Sequence, residues 1–120
     1  MTAPDTMIHY DDLVAKFMND KEYVDDKLAS FARDLREKGD ELERAVAERR
    51  FEKIALMAHS LAGEARLLGM DAFVEPLRTL SQGGLHDDPT GLDGLMDRVR
   101  ALRDRYWAEY EALVRRSGDL

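Results

Sequence analysis

The sequence predicts an all-α fold, an antiparallel four-helix bundle with a short extra N-terminal helix. Three observations carry this reading. Apolar residues recur at steps of three and four along most of the chain, whereas no segment sustains strand-like alternation and β-branched residues are sparse. The eight Gly and three Pro are few, and most fall between positions 63 and 94. The 120 residues suit one domain over positions 1–120. A chain of this length buries about two-thirds of its unfolded surface and needs no disulfide or metal to fold.

The elements follow in order. Asp11 to Met18 reads as a short helix with Leu13, Val14 and Phe17 on one side, a lid on one end of the bundle. Asn19 and Asp20 end it and cap the next. From Glu22, the residues Val24, Leu28, Phe31, Leu35, Leu42 and Val46 form one stripe on one long helix of about 27 residues, about 40 Å in length. Gly39 interrupts this helix without shifting its phase, which predicts a bend or weak point. A break near Arg49–Arg50 precedes a helix through Phe51, Ile54, Met57, Ala58, Leu61, Ala65 and Leu68, closed by Gly69 as C-terminal cap. Asp71 is the expected N-cap of a shorter helix containing Phe73, Leu77 and Leu80, with Pro76 expected to kink it or delay its start. Ser81 to Gly91 reads as a loop. Asp88-Pro89 fits an N-cap and first helical position for a last helix carrying Leu92, Leu95, Val99, Leu102, Tyr106 and Leu113. The tail from Ser117 to Leu120 is expected to fray.

Composition narrows function. Eighteen basic against 25 acidic residues give a net charge of −7, so an acidic surface repels nucleic-acid backbones and anionic lipids. The absence of cysteine excludes disulfide scaffolds, thiolate zinc sites and cysteine nucleophiles, and fits a reducing compartment. No apolar run approaches the roughly 18 residues of a membrane span. Met1 to Tyr10 does not read as a signal peptide. The expectation is a cytoplasmic protein binding neither nucleic acid nor membrane, and its length suits a small free protein. No phosphate-binding glycine loop for a nucleotide is present.

Of the three histidines, His9 and His86 read as surface residues. His59 lies mid-helix, beside the stripe and off its line. Gly63 follows one turn later, where a glycine costs about 1 kcal/mol relative to alanine. Residues four apart share a helix face, so Gly63 clears space beside the imidazole. Ala62 and Ala65 keep the surroundings small, and Arg66 returns to the same face two turns on. An accessible imidazole near a cation suits a nucleophile that carries a phosphoryl group. On spacing alone, a merely structural histidine is the commoner reading.

The run Met57-Ala58-His59-Ser60-Leu61-Ala62-Gly63-Glu64-Ala65-Arg66-Leu67-Leu68-Gly69 resembles the signature of histidine phosphotransfer (HPt) domains, roughly A-H-x-L-K-G-x-A-x-x-x-G. Ala58, His59, Leu61, Gly63, Ala65 and Gly69 match, and the surrounding helix layout is similar to the family over nearly the whole chain, a domain core of about residues 8–115. The resemblance implies reversible phosphoryl transfer between a receiver-domain aspartate and His59, without autonomous kinase activity. It implies receiver domains and a hybrid histidine kinase as partners. It implies no cofactor of the chain's own, with Mg²⁺ on the receiver, and a monomer that leaves His59 free. Ser60, Ala62, Gly63 and Arg66 are expected on or beside the docking surface, completed by an apolar part from a neighbouring helix. Glu64 is a candidate to orient the second ring nitrogen. One departure stands out: the lysine usual before the glycine is Ala62 here, and Arg66 is the candidate substitute.

Other readings are weaker or rival it. A di-metal carboxylate bundle needs Glu-x-x-His pairs, and no Glu precedes any histidine by three. Met7, Met18, Met57, Met70 and Met96 at stripe or end positions suit core filling better than haem ligation. A docking module that carries no phosphate is the main rival. Tyr106, Trp107 and Tyr110 suit either a partner patch or half-buried packing, and the charged run Asp34 to Arg50 a solvated face.

Overall fold

The computed structural model describes residues 6–117. It contains α1 (Tyr10–Lys16), α2 (Lys21–Ala47), α3 (Phe51–Leu67), α4 (Asp71–Leu85) and α5 (Leu92–Ser117). Helix α2 packs on α3, α3 on α4, α4 on α5 and α5 back on α2, which closes a four-helix bundle; α1 lies against α2. The molecule measures 43 × 25 × 24 Å. The α2 stripe from Val24 to Val46 is buried throughout. Phe31 of α2, Phe73 of α4 and Tyr106 of α5 meet edge to face at its centre, with ring centroids 5.0–6.4 Å apart. That geometry sets positive ring edges against negative faces.

Four helix ends share one device. The residue after the helix cap enters the left-handed region at Met18, Arg49, Gly69 and Asp87. The amide that follows bonds back to a carbonyl five residues earlier: Asn19 to Val14, Arg50 to Ala45, Met70 to Ala65 and Asp88 to Gly83. Only one of these positions is the expected glycine. At Arg49 the guanidinium holds the turn, donating to Val46 O at 2.8 Å and to the Asp93 carboxylate at 3.1 and 3.2 Å. Asp20 caps α2 as expected, accepting from the Tyr23 amide at 3.0 Å.

Several boundaries differ from the sequence reading. Asp71 is the first residue of α4, and its cap is Met70, with no side-chain hydrogen bond. Pro76 lies inside α4, buried, without delaying its start. The expected loop 81–91 is helical as far as Leu85. Packing overrides the weak helix propensity of Ser81-Gln82-Gly83-Gly84 there. Ser81 Oγ donates to Ala55 O at 3.2 Å, and Gly84 lets α4 lie directly on the α3 backbone. Asp88-Pro89 does not open α5; the Asp88 carboxylate instead accepts from the Thr90 amide, a local turn, and α5 starts at Leu92. Gly39 interrupts no helix: α2 is continuous through it, and the Arg103 side chain lies 3.3 Å from where a Cβ would stand. Met7, Met70 and Met96 fill the core, but Met18 is 90% exposed at the α1–α2 turn. Tyr106 is buried, with Trp107 and Tyr110 packed half-buried beside it, so these aromatics serve packing. The expected fraying beyond Ser117 falls on positions 118–120, outside the described residues.

Candidate functional site

Helix α3 positions the site because its faces have separate tasks. Ile54, Ala58, Leu61 and Ala65 are fully buried at helical spacing and point it into the core. Ala55 and Ala62, seven residues apart on one flank, are buried as well. The Ala55 amide lies 2.6 Å from where a Gly84 Cβ would stand, which marks this flank as the contact with α4. Ser60 and Glu64 occupy the opposite flank and meet α2. What remains is a solvent-facing strip of Glu52, Leu56, His59, Gly63, Arg66 and Leu67.

His59 is exposed on this strip, and none of the described residues hydrogen-bonds to its ring. A Cβ added at Gly63 would meet nothing within 4 Å. No packing inside the molecule therefore requires a glycine at that position, and the approach to the imidazole over it is open. Leu56 is 60% and Leu67 38% exposed. Both are apolar residues of α3 itself, on the same strip as His59.

Two expected site residues lie elsewhere. Ala62 is 4% exposed, part of the core on the α4 flank and off the solvent-facing strip. Its place on the α4 flank follows from the helical phase that puts it with Ala55. Glu64 does not orient the imidazole; its carboxylate turns to α2 and lies 3.4 Å from Lys38 Nζ. Ser60 and Gly63 do adjoin His59, and Arg66 is exposed one turn beyond Ala62 with no carboxylate paired to it among the described residues.

Lys38 and Asp34 were not singled out in the sequence. Lys38 Nζ donates to Ser60 Oγ at 2.8 Å and lies 3.4 Å from both Asp34 Oδ2 and Glu64 Oε2. All three charged side chains are between 18 and 34% exposed, so this stretch of the charged run is not a solvated face. A signal was available. Asp34 and Lys38 stand one turn apart and directly beside the buried stripe, at the rim where a charged side chain meets the next helix. Burial, then the neighbouring Asp34, push the Glu64 carboxyl up to about 7, against the opposing pull of Lys38.

An exposed histidine on a bundle helix, with open space over the glycine one turn on, is chemically able to act as a nucleophile toward a group brought from outside. A family model for the Hpt domain matches residues 26–105, a span running from α2 into α5 with His59 near its middle. The chain belongs to the Hpt domain family, the histidine phosphotransfer domains of two-component phosphorelays, which act with response-regulator receivers. No match was found among the curated proteins or among the solved structures. No helix among the described residues is long and apolar enough to cross a membrane.

Proposed function

We propose that this protein is a phosphorelay intermediate: His59 accepts a phosphoryl group from the aspartyl phosphate of one receiver domain and passes it to another. The observation that carries the reading is the open approach to an exposed His59 over Gly63, a glycine that nothing inside the bundle requires. In the forward step the lone pair of neutral His59 Nε2 attacks phosphorus in line. The P–O bond to the aspartate breaks, its electrons leave on the carboxylate, and a P–N bond forms. The receiver brings the acidic pocket and the Mg²⁺ that offsets charge in transfer. This chain holds the imidazole rigid and exposed, and needs no cofactor or kinase chemistry of its own.

In this reading the strip around His59 docks on the receiver, with Leu56 and Leu67 as its apolar part and Gly63 as the point of closest approach. A hybrid histidine kinase supplies phosphate through its receiver. The protein acts as a monomer, since a second copy on the α3 face would cover His59, and it shares the cytoplasm with its receivers.

The test is transfer itself. The protein and its His59→Gln variant are mixed with a panel of phosphorylated receiver domains, and intact mass is followed. We expect one added phosphoryl group, labile in acid, stable in alkali and absent from the variant. Binding without transfer from any active receiver would replace this reading with that of a docking module that carries no phosphate. Ala62, in place of the family's lysine, is the feature that favours such a module.

A further inference from the structure

Resting on that reading, we propose that Lys38, on α2, is the cation that holds the phosphoryl group on His59, in place of the lysine whose position Ala62 occupies. A phosphorylated imidazole adds up to two negative charges to a protein whose net charge is already −7. Positive charge at that spot has few sources. Position 62 is closed, because Ala62 is 4% exposed and faces α4. Arg66 is exposed, but its Cα stands seven residues from His59, about 10 Å along the helix axis. Lys38 comes from the side at the level of the histidine itself. Its ammonium lies 2.8 Å from Ser60 Oγ, on the residue next to His59, whose Cα is about 4 Å away.

The surroundings of Lys38 keep it there without using it up. Asp34, one turn earlier on α2, and Glu64 on α3 hold the ammonium from two sides at 3.4 Å. An ammonium has three N–H donors on a flexible stem, so it can turn one toward a phosphoryl oxygen and keep a carboxylate on another. Ser60 Oγ accepts from Lys38, which leaves its own proton free to donate to a phosphoryl oxygen. Burial first and Asp34 second favour the protonated form of Glu64, so the cluster around Lys38 is less negative than two free carboxylates would make it and opposes an incoming phosphoryl group less. The loss of the lysine at position 62 is in this way met from the neighbouring helix.

The experiment uses the full chain and four variants, Lys38→Met, Lys38→Gln, Lys38→Arg and Arg66→Ala, each checked for helicity and melting temperature. Two phosphoryl donors are compared: phosphoramidate, too small to need a docking surface, and a phosphorylated receiver that serves the wild type. The rate of His59 phosphorylation is read by intact mass. Lys38→Met and Lys38→Gln are expected to slow it about tenfold with both donors, as befits loss of a charge-assisted hydrogen bond at a half-exposed site. Lys38→Arg restores most of the rate, and Arg66→Ala changes the phosphoramidate reaction by less than about twofold, as for a charge near the screening distance. Wild-type rates in both Lys38 variants, a defect confined to the receiver reaction, or a larger loss in Arg66→Ala with phosphoramidate would each overturn the assignment. If the wild type itself takes no phosphoryl group from any receiver, the underlying reading fails, whatever the Lys38 variants do.

Discussion

Glu64 is where charge and burial conflict most sharply. Its carboxyl is held up to about 7 by burial first and by Asp34 second, with Tyr106 of α5 the other titratable group that faces it and Lys38 acting the opposite way. The sign follows directly. The folded state binds this proton more tightly than the unfolded chain, so the stabilisation is complete below the ordinary carboxyl value near 4.5 and is lost as pH rises through 7. Glu64→Gln keeps the neutral form at every pH. Its melting temperature should fall at or below that of the wild type near pH 4.5 and rise above it by pH 8, and melts of the two proteins across that range check the crossover. A constant difference would show that Glu64 ionises in the fold as it does in water.

Among the helices, the α3–α4 contact shows how two glycines of one sequence do opposite work. Gly84 lets backbone meet backbone: an added Cβ would lie 2.6 Å from both Ala55 N and Phe51 O, atoms that cannot move alone. Gly63 faces open space. Gly84→Ala should therefore cost about 1–3 kcal/mol through overpacking, whereas Gly63→Ala should stabilise the helix by up to about 1 kcal/mol. Thermal melts of the pair read both signs. The more stable Gly63→Ala protein should also receive phosphate from receivers more slowly, because the new methyl stands on the surface a partner must approach.

Across the whole molecule, the end of the bundle opposite the α2–α3 turn is closed by α1 and the non-helical chain just before it. Met7 and Ile8, both nearly fully buried, donate their amides to the Glu109 carboxylate of α5 at 2.9–3.1 Å. Tyr10 Oη donates to Asp25 of α2 at 2.8 Å, and Lys16 Nζ to Leu67 O of α3 at 3.1 Å. One carboxylate thus satisfies two buried donors across a separation of about a hundred residues. Glu109→Ala should remove about 1.5–3 kcal/mol, the range for hydrogen bonds to a charged group. Hydrogen exchange should quicken at Met7 and Ile8 before it does in α2 to α4; uniform protection would show that apolar burial alone holds the segment.

Much of this was legible in the chain itself. Steps of three and four residues place α2 and α3 almost to the residue, because each apolar stripe is long enough to average out local propensity. The exposure of His59 and the open space at Gly63 were legible because a mid-helix glycine off the apolar stripe breaks a local preference that no packing asks it to break. Tertiary structure decided what propensity opposes. The helix runs through Ser81 to Leu85 because Ala55 and Gly84 pack there, and the arginine at position 49 turns left-handed because Asp93, 44 residues on, holds its guanidinium. It also decided the charges around the site. The sequence by itself determined a bundle with a histidine on its surface. That Ala62 faces inward, and that Lys38 reaches Ser60 from another helix, depends on the rotation and height of α2 and α4 against α3, which packing sets and no local pattern encodes.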